Sequence, residues 1–424
     1  MKLRILGGGG EIGRIGILLM HNENNILLDY GIMLTNGEPE YPFHVSPKEI
    51  KAVILSHAHL DHSGSIPLLY ITEKPKFIAT KLTAEITELL IQDLIKISGY
   101  YLPYENIELD TMLRNLYPVS YGQRIKIKDM SIRFLNAGHI PGSMMTIIEA
   151  NGKRILFTGD LNTINTRLLK GAPKKLPKLD LIIMEGTYTT TNHPNRRELE
   201  KEFVDEIQKI IDNGGTVLIP AFSVGRSQEI LCILTAHKVK SKIFLDGMAR
   251  RASKIMLRYP EFFRNYKLLA RALEKAIWIS GWSQRKKACK KPAIIVSPAG
   301  MLKGGTAVFY MKKLARNEKN AVFLVSYQIP GTPGHILLEN GVFNFGKRIE
   351  KVKAKVKWFD FSSHCGKKEL TDIIKKVKEK REDAEIVMIH GEKENLTVFA
   401  EEIRDTLKTE IIIPENNEII KTKT

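Results

Sequence analysis

The run His57-Ala58-His59-Leu60-Asp61-His62 puts four metal-binding side chains within six residues. Imidazole nitrogen and carboxylate oxygen are the usual donors to catalytic zinc. Six residues cannot wrap one tetrahedral ion with four side chains and still keep a position open for water. Alternate residues of an extended loop can instead face two neighbouring ions, which points to a two-metal hydrolytic site. The apolar run Ala52-Val53-Ile54-Leu55 leads straight into the motif. A strand is therefore expected to deliver these side chains to the mouth of a sheet. The bland alternative is a surface histidine cluster; the density of donors and the strand before them argue against it.

Two ions need more ligands than one motif supplies. His139 sits in the glycine-flanked loop Asn136-Ala137-Gly138-His139-Ile140-Pro141-Gly142-Ser143. Asp160 ends Phe157-Thr158-Gly159-Asp160, and each of its oxygens can face one cation. His390 follows the apolar run Ile386-Val387-Met388-Ile389. Asp29 and Glu185 also close apolar runs.

The elements that must position these residues follow from the pattern. Strands are expected over 1–6, 16–20, 25–29, 51–55, 131–135, 146–149, 153–157 and 181–184, with a helix over 82–97. Near Asn195 the texture changes to alternating helix and strand. Helices are expected over 196–212, from Ser227 and over 248–258, with strands over 216–220, 242–246, 293–297 and 321–326. That alternation predicts a second α/β layer with parallel strands. A strand over 351–359, a helix over 367–381, a strand over 385–390 and a helix over 395–409 finish the chain. Gly8-Gly9-Gly10-Glu11-Ile12-Gly13 matches the dinucleotide-binding pattern, but a strand and not a helix is expected next. A tight glycine turn in a β-hairpin is the better reading, and no small organic cofactor is expected.

The 424 residues carry 65 Lys+Arg against 47 Asp+Glu, a net charge of +18. The excess gathers in stretches such as 170–178, 238–254, 285–291 and 347–357. It favours a polyanionic partner over a small neutral substrate. No apolar stretch approaches the roughly 20 residues needed to cross a bilayer, and no signal peptide opens the chain. Three scattered cysteines, without a Cys-x-x-Cys pair, fit a reducing cytoplasm. Trp278, Trp282 and Trp358 are assigned to core or subunit contacts ahead of base stacking.

The order Asp29, His57-x-His59-x-Asp61-His62, His139, Asp160 resembles the metallo-β-lactamase superfamily. Glu185 in Met184-Glu185-Gly186-Thr187-Tyr188, His364 in Phe361-Ser362-Ser363-His364 and His390 in Ile389-His390-Gly391-Glu392 resemble motifs of its β-CASP branch of RNA- and DNA-processing nucleases. The segments 220–229, 246–249 and 300–305 resemble its inserted domain. Within the branch the chain is similar to archaeal homologues of the nuclease subunit of the cleavage and polyadenylation specificity factor, in a short form without KH domains. One departure is Cys365-Gly366 after His364, where relatives usually have a small residue and an acid.

The resemblance implies an α/β fold: a metallo-β-lactamase αββα sandwich (1–187 and 350–424) interrupted by a β-CASP domain (188–349) that roofs the site. It implies that His57, His59 and His139 hold one zinc, that Asp61, His62 and His390 hold another, and that Asp160 bridges them. Asp29 would orient a ligand imidazole. His364 would protonate the leaving sugar oxygen, with Glu185 favouring its charged form. Arg226, Ser227, Gly304 and Gly305 are candidates for RNA phosphates. The function implied is hydrolysis of single-stranded RNA to 5′-phosphate and 3′-hydroxyl ends, endonucleolytic ahead of 5′-to-3′ exonucleolytic, by a protein for which a homodimer is compatible. A small-molecule hydrolase, a noncatalytic scaffold and a DNA nuclease are the other readings of the same residues.

Overall fold

The computed structural model describes the whole chain except residues 36–37, 99–100, 347 and 423–424. Lys347, which opens one of the basic stretches, thus lies outside the described residues. The chain divides into two compact units.

The first unit comprises 1–165, 171–192 and 363–424. It holds two seven-stranded sheets. One runs, in spatial order, Ile419–Lys421, Lys2–Gly7, Gly16–Met20, Asn25–Tyr30, Ile50–Ile54, Lys76–Ala79 and Leu116–Pro118. The other runs Ile411–Ile412, Glu385–Ile389, Leu181–Glu185, Lys153–Phe157, Met144–Ala150, Met130–Asn136 and Arg124–Ile127. Side chains alternate across each strand, and both faces are apolar. Ile17, Leu19, Ile26, Leu28 and Ile54 of the first sheet meet Ile132, Phe134, Ile155, Phe157, Ile183 and Val387 of the second. On the outer face of the first sheet, Leu18, Leu27, Val53 and Phe77 pack with Ile91 and Leu94 of the helix Lys81–Ser98. On the outer face of the second, Leu156, Ile182 and Met388 pack with Ile374 of the helix Lys367–Lys380 and Phe399 of the helix Lys393–Leu407. The result is an αββα sandwich, and burial on both faces explains why its strands read as apolar runs. The Gly8–Gly13 turn joins the antiparallel strands Lys2–Gly7 and Gly16–Met20, so it closes a hairpin.

The second unit comprises 166–170 and 193–362. The six strands of its main sheet are all parallel, in spatial order Ile277–Trp278, Ile243–Leu245, Ile294–Ser297, Val217–Pro220, Ala321–Leu324 and Lys355–Trp358. Helices cover both faces. Phe203 of Arg196–Asp212 and Ile230 of Arg226–Ala236 pack on Ile219 and Phe323, while Tyr310 and Met311 of Gly305–Leu314 pack on Leu218 and Val322.

The boundaries expected at 187/188 and 349/350 move. Lys355–Trp358 pairs with Ala321–Leu324, so it belongs to the second unit, which ends at Ser362. The strand expected over 351–359 is split: Ile349–Lys351 pairs instead with Val342–Asn344 in a separate two-stranded ribbon. Residues 166–170 also join the second unit because Leu168 and Leu169 are buried in its core.

Candidate metal centre

The site is assembled from strand ends within the first unit. Lys153–Phe157, Leu181–Glu185 and Glu385–Ile389 are adjacent and parallel, so their carboxyl ends lie side by side. Asp160 lies three residues past the first of them, Glu185 ends the second and His390 follows the third. From the facing sheet, Ile50–Ile54 runs through Leu55 and Ser56 into His57, while Asp29 lies near the end of Asn25–Tyr30. Asp29 and His390 both hold positive φ, 56° and 54°, an unusual backbone state for non-glycine residues that clusters at functional sites. The motif loop is pinned by backbone bonds: Ile15 N–H donates to the Asp61 carbonyl (2.8 Å) and Ile32 N–H to the Leu60 carbonyl (2.9 Å). Gly31 makes this fit possible, since a Cβ there would come within 1.6 Å of the Asp61 carbonyl oxygen.

Hydrogen bonds fix which nitrogen each ring turns inward. Asp29 accepts from Ser56 N–H and Ser56 Oγ, both at 2.6 Å. With its hydroxyl proton spent on Asp29, Ser56 Oγ accepts from His57 Nδ1 at 3.0 Å. His62 Nδ1 donates to Asp29 at 2.6 Å, and His139 Nδ1 to the Ser363 carbonyl at 3.0 Å. With Nδ1 so engaged, His57 and His139 each present the Nε2 lone pair, the tautomer a metal ligand needs, and His62 turns its Nε2 the same way.

These lone pairs converge. His57 Nε2 lies 3.2 Å from His59 Nδ1, which lies 3.1 Å from His139 Nε2. Asp160 Oδ2 is 3.4 Å from both His57 Nε2 and His139 Nε2. Its other oxygen, Oδ1, is 3.2 Å from His62 Nε2 and 3.5 Å from His390 Nε2, and Asp61 Oδ2 is 3.8 Å from His390 Nε2. These donors thus form two sets, His57–His59–His139–Asp160 and Asp61–His62–His390, joined through one carboxylate, and Asp160 also groups with Glu185 and His364 in a third. His62 Nε2 and Asp160 Oδ1 are buried without a hydrogen bond, which is costly unless something else satisfies them. A cation held by Asp160 Oδ1, His62 and His390 would do so, and the imidazole-rich donor set fits zinc.

Electrostatics agree with this fit. Burial, reinforced by neighbouring imidazoles, lowers His57 and His139 well below the usual histidine range and His59 to about 4, so all three are neutral. Ligand imidazoles must be neutral. His62 goes the other way: burial opposes its charge, but Asp160 and Asp29 outweigh burial and raise it, so a cation at His62 Nε2 would have to displace a proton. Asp160 stays ionised despite burial because imidazoles surround it.

His364 adjoins this cluster. Its Nδ1 lies 2.9 and 2.8 Å from the two Glu185 oxygens, and its Nε2 lies 4.0 Å from Asp160 Oδ2. Glu185 is fixed in turn by Leu161 N–H (2.6 Å) and Thr187 Oγ1 (2.5 Å). Burial disfavours the charged ring, yet Glu185 and Asp160 outweigh it and raise His364 to about 9. Cys365, the departure from the usual pattern, is buried in the core, and its N–H donates to the Leu161 carbonyl at 2.6 Å.

Ser56, Ser363, Leu161 and Thr187 were not among the candidates from sequence. Ser56 adjoins His57 and could have been suspected; the others act through backbone groups or from separate loops. Gly13 N–H lies 3.3 Å from His390 Nδ1, which brings the glycine hairpin to the site.

The four RNA candidates lie in the second unit. Arg226 and Ser227 open the helix Arg226–Ala236. Ser227 Oγ and Ser227 N–H both donate to the Phe222 carbonyl, and Arg226 N–H donates to Val224, so these groups close their own turn. Gly304 caps the helix Gly305–Leu314, where Gly305 takes a φ of 69°. Trp278 packs partly against the core, whereas Trp282 is 63% and Trp358 40% exposed.

Three family profiles match the chain: the metallo-beta-lactamase superfamily over residues 12–207, the Beta-Casp domain over 227–337 and the Zn-dependent metallo-hydrolase RNA specificity domain over 349–414. Among curated relatives, RNase aCSPSF2 of Saccharolobus solfataricus is 40% identical, covering 99% of this chain and 85% of that protein. An RNase J-like protein of Methanocaldococcus jannaschii is 33% identical over 99% of each chain. A solved structure, a protein of unknown function from Enterococcus faecalis V583, has a TM-score of 0.62 at 16% identity, covering 99% of both chains.

Proposed function

We propose a specific activity for this chain, which belongs to the β-CASP branch of the metallo-β-lactamase superfamily, a branch of metal-dependent nucleases: endonucleolytic hydrolysis of single-stranded RNA with two zinc ions, leaving 5′-phosphate and 3′-hydroxyl ends. The observation that carries its two-metal part is the divided carboxylate of Asp160, one oxygen toward His57 and His139 and the other toward His62 and His390; RNA as substrate rests on the likeness to RNase aCSPSF2. When bound, a zinc pair supplies an acidified water and positive charge beside the phosphoryl group.

In this reading His57, His59 and His139 would hold one ion and Asp61, His62 and His390 the other, with Asp160 available to both. Asp29 orients His62 directly and His57 through Ser56. His364 gives the proton on Nε2 to the departing ribose 3′-oxygen, while Glu185 holds Nδ1–H and keeps the ring aimed. We place the protein in the cytoplasm, where its three unpaired cysteines stay reduced, and retain a homodimer as part of the reading. No helix among the described residues is long and apolar enough to cross a membrane.

The likeness to an RNase J-like protein favours a second reading, 5′-to-3′ exonuclease action at the same metal site. One single-stranded RNA in linear and circular forms separates the two. Cutting of both forms is the expected outcome. Stepwise loss of the linear, 5′-monophosphorylated form alone would establish the exonuclease. Thioester or lactam turnover without RNA cleavage would replace both with a small-molecule hydrolase.

A further inference from the structure

Trp282 opens the short helix Trp282–Ala288 in the second unit. It is 63% exposed, the most exposed tryptophan among the described residues. Its ring is nonetheless held in place. Phe309 meets it edge-on at 5.3 Å between centroids. The Arg285 guanidinium lies over it at 4.9 Å. Arg285 cannot swing away freely, because Asp246 accepts from it twice, at 2.7 and 3.1 Å. Asp246 is fully buried and also accepts from Tyr310 Oη at 2.8 Å. A buried carboxylate thus fixes an arginine, and the arginine and Phe309 fix an indole whose remaining surface faces solvent.

The surroundings are cationic. Residues 282–292 contain Arg285, Lys286, Lys287, Lys290 and Lys291 and no acid, and the four lysines are exposed. Asp246 follows the carboxyl end of the parallel strand Ile243–Leu245, the side of such sheets on which ligands bind. A rigid aromatic face beside mobile cations is the combination that binds single-stranded nucleic acid: the ring stacks a base and the lysines neutralise phosphates. A second copy of this chain is a poorer occupant, since a two-fold contact would set these cations against copies of themselves.

We infer that Trp282 is a base-stacking platform for single-stranded RNA, with Lys286, Lys287, Lys290 and Lys291 engaging the flanking phosphates. This rests on the nuclease reading and adds a site outside the metal cluster.

The test compares wild type, Trp282→Ala and Trp282→Phe on a long single-stranded RNA and on bis-p-nitrophenyl phosphate, with sedimentation velocity on each protein. Trp282→Ala is expected to raise KM for the RNA about tenfold, leaving kcat and turnover of the small phosphodiester unchanged. Trp282→Phe should recover most of the loss. Replacing Lys286 and Lys287 together with Gln should flatten the salt dependence of RNA binding. An unchanged KM for RNA in Trp282→Ala, with wild type active, would overturn the platform alone. A change in self-association without a change in KM would instead make the surface a subunit contact. A wild-type protein that cleaves neither substrate would fail the nuclease reading itself.

Discussion

Two side chains outside the zinc sets carry separable predictions. Replacing His364 with Ala removes the proposed proton donor; His364 groups with Asp160 and Glu185, apart from the two sets assigned to the ions. Its kcat on RNA should fall about 10²- to 10⁴-fold with zinc content unchanged; loss of zinc in that variant would make His364 a ligand. Replacing Asp29 with Ala should do the reverse. It frees His62 Nδ1 and the Ser56 relay to His57, so zinc affinity, followed by competition with a chelator, should drop about 10- to 100-fold. The contrast also shows what was legible at this scale. Donor residues announce themselves by type and spacing. Asp29 could be placed only through the family pattern, and Ser363 could not be found at all, because it acts through a carbonyl that any residue carries.

At the scale of elements, Gly31 and the edge strand Lys355–Trp358 show how local chemistry sets architecture. A Cβ on Gly31 would overlap the backbone of Asp61. Gly31→Ala should therefore cost about 1–3 kcal/mol of stability, as overpacking does, and should loosen zinc with it. Thermal unfolding with and without added zinc measures both.

The edge strand is tied to the helix Arg196–Asp212 by Lys355, which pairs with Glu206, and Lys209 adds a contact at 2.9 Å. These hydrogen bonds hold the Glu206 carboxyl at about 2, below its ordinary 4.5. A depressed carboxyl stabilises the fold above its unfolded pKa and loses that effect as pH falls through its folded one. Wild type should thus exceed Glu206→Gln by about 0.5–1 kcal/mol at neutral pH, the range of exposed ion pairs. The gap should close between about pH 4.5 and 2, as followed by urea unfolding. The same strand misled the sequence reading. Alternation over 351–359 marks a strand but not its partner, and parallel pairing with Ala321–Leu324 is a long-range choice that periodicity does not encode.

For the whole molecule, the strands of the first unit were legible because they are apolar on both faces, but their arrangement as an αββα sandwich came only from the family resemblance; the second unit was legible because its strands and helices alternate. The net charge of +18 predicts RNA binding that weakens steeply with salt, with log K falling by roughly 0.7 per log unit for each phosphate engaged on a single strand. Binding titrations at several salt concentrations would check it, and a flat response would mean that the excess charge only decorates the surface.

The most direct test of the central claim is to record zinc per chain and cleavage of a single-stranded RNA on the same samples of wild type and Asp160→Ala. Asp160 faces both donor sets. Wild type should carry two zinc ions and cut the RNA, whereas Asp160→Ala should lose zinc and cleavage together while remaining folded. Cleavage that persists in a folded, zinc-free Asp160→Ala would contradict the account.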